Sequence, residues 1–400
     1  MFDKIEDALN AFKNGQPIIV VDAESRENEG DIIIAAEQAT QENVNFCASQ
    51  GKGLICITID AKTATRLNLQ PMNSNHQDNF HTAFYDSIDA GHEFGITTGI
   101  SAKERAITAK HIANASSKAA DFIKPGHLFP LVAKENGVLV RAGHTEAGVD
   151  LCKLTGQYPA AIICEIMQQN GDMMRREGLE VFAKENGLKI ISIQQIVDYR
   201  KSTENHLQEV SKAHLPTAFG NFDIRVFKNT LTQVEQVLIE KKSNTQNKPL
   251  VRIHSECLTG DAFGSLKCDC QNQLHNALKL IEENGHGFVI YMKNHEGRGI
   301  GIGNKIAAYH LQEKGLNTFE ANEKLGLPAD ARDYQDAVWI LKKLNLNAFD
   351  LITNNPKKVA ALQNAGLNFT QMQVSLGSNS FNKKYLQEKI ELAHHNIILD

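Results

Sequence analysis

Short apolar runs recur along the chain in two sets. PIIVVDA, DIIIAA, GLICITI, GVLVR and AAIICEIM form the first, and FDIRVF, LVRIHSE, FVIYMK and FDLIT the second. Bounded by polar and turn-forming residues, runs of this length predict β-strands. Between them, TEAGVDLCKLTG and YQDAVWILKKL carry the spacing of helices. From Ile193 to His214 the chain passes through DYRKSTENHLQEVSKAH, which is polar, poor in aromatics and without strong period, so a boundary is expected there. The expected domains are 1–200 and 216–400, joined by a linker over 201–215. There is no repeat at solenoid periods, which makes the halves two different domains. The expected fold class is α/β and α+β: two domains, each a mixed β-sheet covered by helices in a three-layer α-β-α arrangement.

Composition narrows the function. A chain of 400 residues is too long for one compact core and suits two. Hydrophobic residues at 42% and charged residues at 22% exclude a disordered or fibrous chain. The net charge of -5 gives no electrostatic footprint for nucleic acid or an anionic membrane, but leaves room for a local basic pocket that takes a small phosphate. No run approaches the ~18 apolar residues of a membrane span. The start MFDKIEDALNAF carries Asp3, Glu6 and Asp7 where a signal peptide is basic and then apolar, so a cytoplasmic protein is expected. Seven cysteines, an odd count, fit reduced thiols better than a disulfide framework.

The first half concentrates carboxylates. Asp22 to Asp31 read DAESRENEGD, a strand-to-strand turn with five carboxylates and Arg26. On charge alone a solvated acidic hairpin is the favoured reading. In an extended segment, however, Glu27, Glu29 and Asp31 point one way, and their repulsion calls for a metal cation or an arginine among them. Hard oxygen donors of this kind suit Mg2+, and they admit Mn2+ as well. In GVLVRAGHTEAGVDL, Arg141, His144 and Glu146 fall where a strand gives way to a helix, with Thr145 as expected N-cap and Gly156 as the stop. That is an anion site or, equally, a capped helix with a surface histidine. Glu165 lies in the apolar strand AAIICEIM, a costly place for a carboxylate unless it is paired or open to a cleft.

DAESRENEGD, TTGISAKERAIT, PGHLFPL, RAGHTEAGVDL and ICEIM, in this order and spacing, resemble the 3,4-dihydroxy-2-butanone-4-phosphate synthases, which convert ribulose 5-phosphate to the four-carbon phosphate and formate. The resemblance implies that Glu27 and His144 hold Mg2+ or Mn2+. It also implies that Arg26, Glu27, Asp31, Arg141, Ala142, Gly143, His144, Thr145 and Glu165 contact the substrate, and that His127 and Glu165 carry protons. Enolising a hydroxy-ketone, expelling water and releasing one carbon requires a Lewis acid on adjacent oxygens together with placed acids and bases.

In the second half, RIHSECLTGDAFGSLKCDC places ten residues between Cys257 and Cys268 and one, Asp269, between Cys268 and Cys270. Three thiolates make three corners of a Zn2+ tetrahedron and leave the fourth open for chemistry, because no nearby Cys or His closes the site. YMKNHEGRGIGIGNK is glycine-rich but fits neither dinucleotide nor P-loop spacing. FDLITNNPKKVAALQNAGL predicts a strand, then a helix with Asn354 or Asn355 as cap, Pro356 first, Lys357 and Lys358 in the first turn and Gly366 as stop. Lysines there oppose the helix dipole, so a bound phosphate relieves the conflict; exposed, solvated lysines are the competing reading.

These segments, with EAN at 320–322 and LPADARDY at 327–334, look like GTP cyclohydrolase II. The resemblance implies Zn2+ on Cys257, Cys268 and Cys270. It implies GTP contacts from Arg252, Ile253, His254, Ser255, Glu256, Gln273, Glu296, Gly297, Arg298, Thr318, Thr353 and Lys358. Asp330 is implied as proton acceptor and Arg332 as nucleophile, although a guanidinium serves better as a phosphate clamp. The two resemblances together follow the order of a known fusion, the bifunctional riboflavin-biosynthesis family, and imply a homodimer acting on two small molecules. A zinc-ribbon module would need a fourth ligand and a basic face, and a zinc deaminase would need P-C-x-x-C beside the H-x-E at His144; the sequence has none of these. One silent half serving as a structural or regulatory domain is the remaining alternative.

Overall fold

A computed structural model describes residues 2–72, 82–328, 330–373, 380–383, 387, 390 and 391, without the side chains of 318 and 319. The chain divides into two compact units, Met1–Thr203 and Glu204–Asp400. The first contains seven strands: β1 (Ile18–Val21), β2 (Gly30–Ala35), β3 (Cys56–Ile59), β4 (Ile88–Ala90), β5 (Phe122–Val132), β6 (Ala160–Glu165) and β7 (Lys189–Ser192). They form one mixed sheet in the order β4-β5-β3-β6-β2-β1-β7. Every residue of β1 and β2 is buried, as continuous apolar runs require when both sheet faces are covered. Alternate residues divide between the faces. Ile19, Ile32 and Ile57 meet one layer, which includes Ala106 and Ile112 of the helix Ala102–Ile112; Val20, Ile33 and Ile163 meet the other, built from the helices Ile5–Lys13, His144–Thr155 and Ile193–Thr203.

The second unit repeats the plan with a different wiring. Its strands are β8 (Leu207–Thr217), β9 (Gly220–Asn229), β10 (Glu235–Lys242), β11 (Leu250–Ser255), β12 (His286–Met292), β13 (Phe349–Ile352) and β14 (Phe369–Met372), in the order β14-β13-β11-β12-β10-β9-β8. Strands β11 to β14 are parallel to their neighbours in that set, whereas β8, β9, β10 and β12 pair antiparallel. Val251, Ile253, Phe288 and Ile290 face the layer containing the helix Gln335–Leu344, and Leu250 and Val289 face the helix Cys270–Asn284. Both units are thus three layers deep, as expected.

Three local expectations need correction. Residues 201–215 are not a linker: 201–203 end the helix Ile193–Thr203, and β8 begins at Leu207. β8 is an edge strand, paired through its backbone from Leu207↔Asn229 to Thr217↔Gly220 with most side chains in solvent, and so lacks an apolar signature. GVLVR is not a strand either. Gly137 takes a φ of +59°, Val138 N–H donates to the buried Asp150 carboxylate, and Gly137–Leu139 coils into a 3-10 turn. Finally, the helix His144–Thr155 is capped by Gly143 without a side-chain bond, and Thr145 lies buried in its first turn; Gly156 does end it, with a φ of +75°.

Candidate active sites

The strand registers of the first unit assemble one row of polar groups on the face toward the helix His144–Thr155. Val20, Asp31 and Glu165 are directly opposed across β1, β2 and β6. Extending the pairings Cys56↔Ile163 and Cys56↔Phe129 by two residues brings Leu54 and His127 to the same level, and Leu54 N–H donates to Glu165 Oε2 at 2.9 Å. The turn before β2 is folded by Asp22, whose carboxylate accepts from Glu27 N, Glu29 N and Arg26 Nη1 at 2.9, 2.9 and 3.0 Å. Arg26 Nη1 also reaches Glu27 Oε2 at 2.6 Å. Because Asn28 has a φ of +55°, the turn is not extended, and the expected alignment of three carboxylates fails: Glu29 turns toward Arg175, 3.5 Å away, while Glu27 and Asp31 converge.

They converge on His144. Its Nε2 lies 3.1 Å from Val20 O, and a carbonyl only accepts, so Nε2 carries the hydrogen and the Nδ1 lone pair faces Glu27 Oε2 at 3.8 Å and Asp31 Oδ1 at 3.7 Å. Burial lowers the His144 pKa, favouring the neutral ring. Burial first, and then the charges of Glu165 and Glu27, push Asp31 well above the usual carboxylate range; its Oδ1 is buried with no hydrogen-bond partner among the described residues. The Nδ1 lone pair thus has a half-buried carboxylate and an orphaned buried oxygen each within 4 Å of it, donors that suit a hard cation. Arg141 is fixed by Glu146 at 2.6 Å, and Glu146 also accepts Lys134 N–H. Ala142 is exposed, whereas Gly143 and Thr145 are buried. His127 is 42% exposed.

In the second unit the loops that follow the parallel strands β11, β12 and β13 meet at one end of the sheet, the place where such sheets bind ligands. Cys257, Cys268 and Cys270 lie with their sulfurs within 4.8 Å of one another and could hold a metal ion. Gly260 permits this closeness: a Cβ there would come within 3.1 Å of two of the sulfurs. Hydrogen bonds from the other two thiols, and the nearby Lys305, lower the Cys257 pKa, while Cys268 is pushed up to about 11, first by its bond to Cys257. Lys305 Nζ is buried between Cys257 Sγ at 3.2 Å, Thr259 Oγ1 at 2.7 Å and Glu296 Oε1 at 2.5 Å. A cavity of about 310 Å3 opens beside the thiols, lined by Ser255, Glu256, His295, Gly297, Arg298 and Arg332 among others.

The remaining expected GTP contacts divide into two groups. Arg252 is buried, donates to Ile352 O and holds Gln273; Gln273 Nε2 in turn donates to Asp269, the buried residue between Cys268 and Cys270, at 2.6 Å. His254 is buried against Asp261 at 3.1 Å and stacks on Tyr291. The Ile253 side chain belongs to the core, and its carbonyl accepts from Lys358 Nζ at 2.7 Å. Thr353 Oγ1 accepts Asn355 N–H. The Thr318 side chain lies outside the described residues. Asp330 forms a two-bond pair with Arg332 at 2.8 and 2.9 Å and meets Lys357 at 3.0 Å; burial raises its pKa, but these bonds and charges outweigh burial and hold it well below the usual range.

Residues 6–199 match the 3,4-dihydroxy-2-butanone 4-phosphate synthase family and residues 208–373 the GTP cyclohydrolase II family. The chain is 48% identical over 396 residues to the riboflavin biosynthesis protein RibBA of Aquifex aeolicus, covering 98% of each, and 49% identical over 397 residues to that of Bacillus mycoides, covering 99% of each. The chain belongs to the bifunctional riboflavin-biosynthesis family. Its halves are a lyase and a hydrolase, 3,4-dihydroxy-2-butanone 4-phosphate synthase and GTP cyclohydrolase II. Among solved structures, RibBX of A. baumannii, a two-domain 3,4-dihydroxy-2-butanone 4-phosphate synthase, is 30% identical with a TM-score of 0.61, covering 88% of this chain and 94% of that one.

Set against that family, several organising residues were absent from the expected set. Asp22, Asp89, Asp261, His295 and Lys305 each bind a residue that the motifs single out. Asp22, Asp261, His295 and Lys305 all stand inside quoted motifs. The meeting of Lys305 with Cys257 spans 48 residues, which spacing does not encode.

Proposed function

We propose that the synthase half holds Mg2+ or Mn2+ on Glu27 and His144, and that the hydrolase half holds Zn2+ on Cys257, Cys268 and Cys270. The observation that carries the first assignment is the His144 ring, fixed by Val20 O with its lone pair turned toward Glu27 and the orphaned Asp31 Oδ1. For the second it is the three sulfurs beside a cavity with no fourth protein ligand among the described residues. When bound, each cation supplies a Lewis acid.

In the synthase half, Arg26, Asp31 and the run Arg141, Ala142, Gly143, His144 and Thr145 bind ribulose 5-phosphate. The first turn of the helix His144–Thr155 has no side-chain cap, which leaves backbone N–H groups for an anion. Glu165 and His127 exchange protons with the substrate; Leu54 N–H orients Glu165. In the hydrolase half, Ser255, Glu256, Glu296, Gly297, Arg298 and Lys358 surround GTP, and Thr318 and Thr353 add contacts. Arg332 is the diphosphate clamp. Once Arg332 turns to the diphosphate, Asp330 keeps only Lys357 from its present cation partners and becomes a better proton acceptor. Arg252, His254 and Gln273 act chiefly behind the metal loop. The protein works in the cytoplasm as a homodimer, and the exposed Leu258, Phe263, Leu266, Ile302 and Ile306 near the thiols supply apolar surface for a second copy.

The test is formate release from ribulose 5-phosphate and from GTP, assayed separately with Mg2+ before and after zinc removal. Formate from both substrates, with only the GTP reaction lost on zinc removal and restored by zinc, is the expected result. A GTP reaction indifferent to zinc would overturn the thiol assignment.

A further inference from the structure

Between β5 and the helix His144–Thr155 the chain makes a turn with an uncommon backbone. Asn136 and Gly137 follow one another with φ of +66° and +59°, a region that costs little at glycine and more at asparagine. Conformations of this kind persist where the surroundings over-determine them. Gly137 N–H closes onto Lys134 O at 3.0 Å, and the N–H groups of Val140 and Arg141 both return to Gly137 O, at 3.0 and 3.1 Å. The turn so wound leads directly into Arg141, Ala142, Gly143, His144 and Thr145, the run read above as a ribulose 5-phosphate contact.

Two buried carboxylates of one helix hold this turn. Glu146 and Asp150 are four residues apart on His144–Thr155 and so share a face. Glu146 binds both ends of the turn, accepting Lys134 N–H at 3.0 Å and Arg141 Nη1 at 2.6 Å. Asp150 takes the middle, where its Oδ2 accepts Val138 N–H at 2.8 Å. Arg200, buried on the helix Ile193–Thr203, completes the clamp: its Nη1 donates to the same Asp150 oxygen at 2.7 Å and to Asn136 O at 2.8 Å. The carboxylate has room because Gly137 lacks a side chain; a Cβ there would run into both Asp150 oxygens. A buried ion pair gives little net stability over apolar residues of the same size, so what this one supplies is geometry.

We propose that Asp150 and Arg200 are a positioning pair for substrate binding in the synthase half: they lock the left-handed Asn136–Gly137 turn, and through it place Arg141 and the backbone of 142–145 for the anionic end of ribulose 5-phosphate. This rests on the reading of that run as a substrate contact. The pair acts through the turn.

The tests use the full-length protein. Arg200→Met should raise KM for ribulose 5-phosphate by about 10- to 100-fold, the scale of a misplaced binding group, and leave kcat within about threefold. A retained kcat at saturating substrate shows that the synthase half has folded. The Ki of inorganic phosphate as a competitive inhibitor should rise in step with KM, which a loss of stability alone does not produce. Arg200→Lys, which keeps a charged donor, should recover most of the loss. Gly137→Ala, which presses a methyl group into the Asp150 carboxylate without removing either partner, should raise KM in the same way, and it decides the matter if Arg200→Met does not fold. Wild-type KM and phosphate Ki in Arg200→Met and Gly137→Ala, with both raised in Arg141→Met, would overturn the role of the pair and leave the substrate run standing. A fall in kcat with KM unchanged would overturn it as well. An unchanged KM in Arg141→Met would instead remove the reading on which the proposal depends.

Discussion

The two catalytic centres of this chain arrange charge differently, and the difference bears on what each receives. In the synthase half Asp22, Glu27, Glu29, Asp31 and Glu165 gather around Arg26, and burial together with mutual repulsion raises Asp31 and Glu29. In the hydrolase half Arg298, Lys305 and Arg332 line the cavity, with Lys357 and Lys358 at the adjoining helix start. A centre with excess buried negative charge is completed by a cation, whereas in the hydrolase half Lys305 is paired with Glu296, and Arg332 and Lys357 with Asp330, in ion pairs that a polyanion can take over. A pentulose phosphate carried by a divalent ion suits the first, and a triphosphate the second.

Removing the ligands breaks the comparison most sharply. Cys268→Ser should reduce formate release from GTP by at least about 10³-fold, the scale of a lost Lewis acid, and leave release from ribulose 5-phosphate unchanged. Glu27→Gln should do the reverse, at about 10²- to 10³-fold, because one of the two assigned ligands of the hard cation is lost while the thiols are untouched. A variant that damages both reactions equally would mean that the centres are not independent.

Acid should separate the halves next. Burial first, and then Arg332 and Lys358, lower the His295 pKa to about 4, and its Nε2 donates to Asp333 O while Nδ1 faces Ser255 Oγ. The folded value lies below the unfolded value of ~6.5, so the unfolded chain takes up the proton first. The stabilising effect is therefore complete above ~6.5 and is lost as pH falls toward 4, by up to about 3 kcal/mol. Denaturant unfolding of the hydrolase half should weaken through that window in wild type and lose that part of its slope in His295→Gln. A slope that persists in the variant would assign it to other groups.

Second-layer residues should matter less. Arg252→Met cuts the chain Arg252–Gln273–Asp269 that braces the C-D-C turn. Zinc retention against a chelator should fall by about 10- to 100-fold, the usual effect of an outer-layer partner, without a matching rise in KM for GTP. A rise in KM with zinc retention intact would restore Arg252 as a direct GTP contact.

Much of this was legible in the sequence because short-range chemistry encodes it. The layers follow from apolar runs such as PIIVV and FVIYM, and the Cys257, Cys268, Cys270 spacing foreshadows the thiol cluster. What escaped was set by distance. β8 pairs through its backbone and exposes its side chains, so its polar sequence reads as linker. Asp89 meets His127 across 38 residues through a break in the ladder, and Lys305 meets Cys257 across 48 residues; neither pairing leaves a mark on local pattern. The three carboxylates do not align because one residue, Asn28, with a φ of +55°, breaks the extended segment between Glu27 and the pair Glu29 and Asp31.

The smallest effect compares two helix starts that the proposed function places at substrate phosphates. At Pro356–Asn364 the Asn355 side chain accepts Lys357 N–H at 2.9 Å, so one backbone donor is already satisfied and the side chains of Lys357 and Lys358 supply the positive charge. At His144–Thr155 no side chain caps the first turn, and the backbone itself remains to meet an anion. Asn355→Ala should therefore cost about 1 kcal/mol of stability in the hydrolase half, read by denaturant midpoint, with little change in the synthase reaction. Thr145→Ala, at the position where the sequence suggested a cap, should show no capping loss, since its hydroxyl closes no turn in this structure. If Thr145→Ala lost as much as Asn355→Ala, the synthase helix would be capped in solution and its first turn would not be the open anion site that its backbone presents.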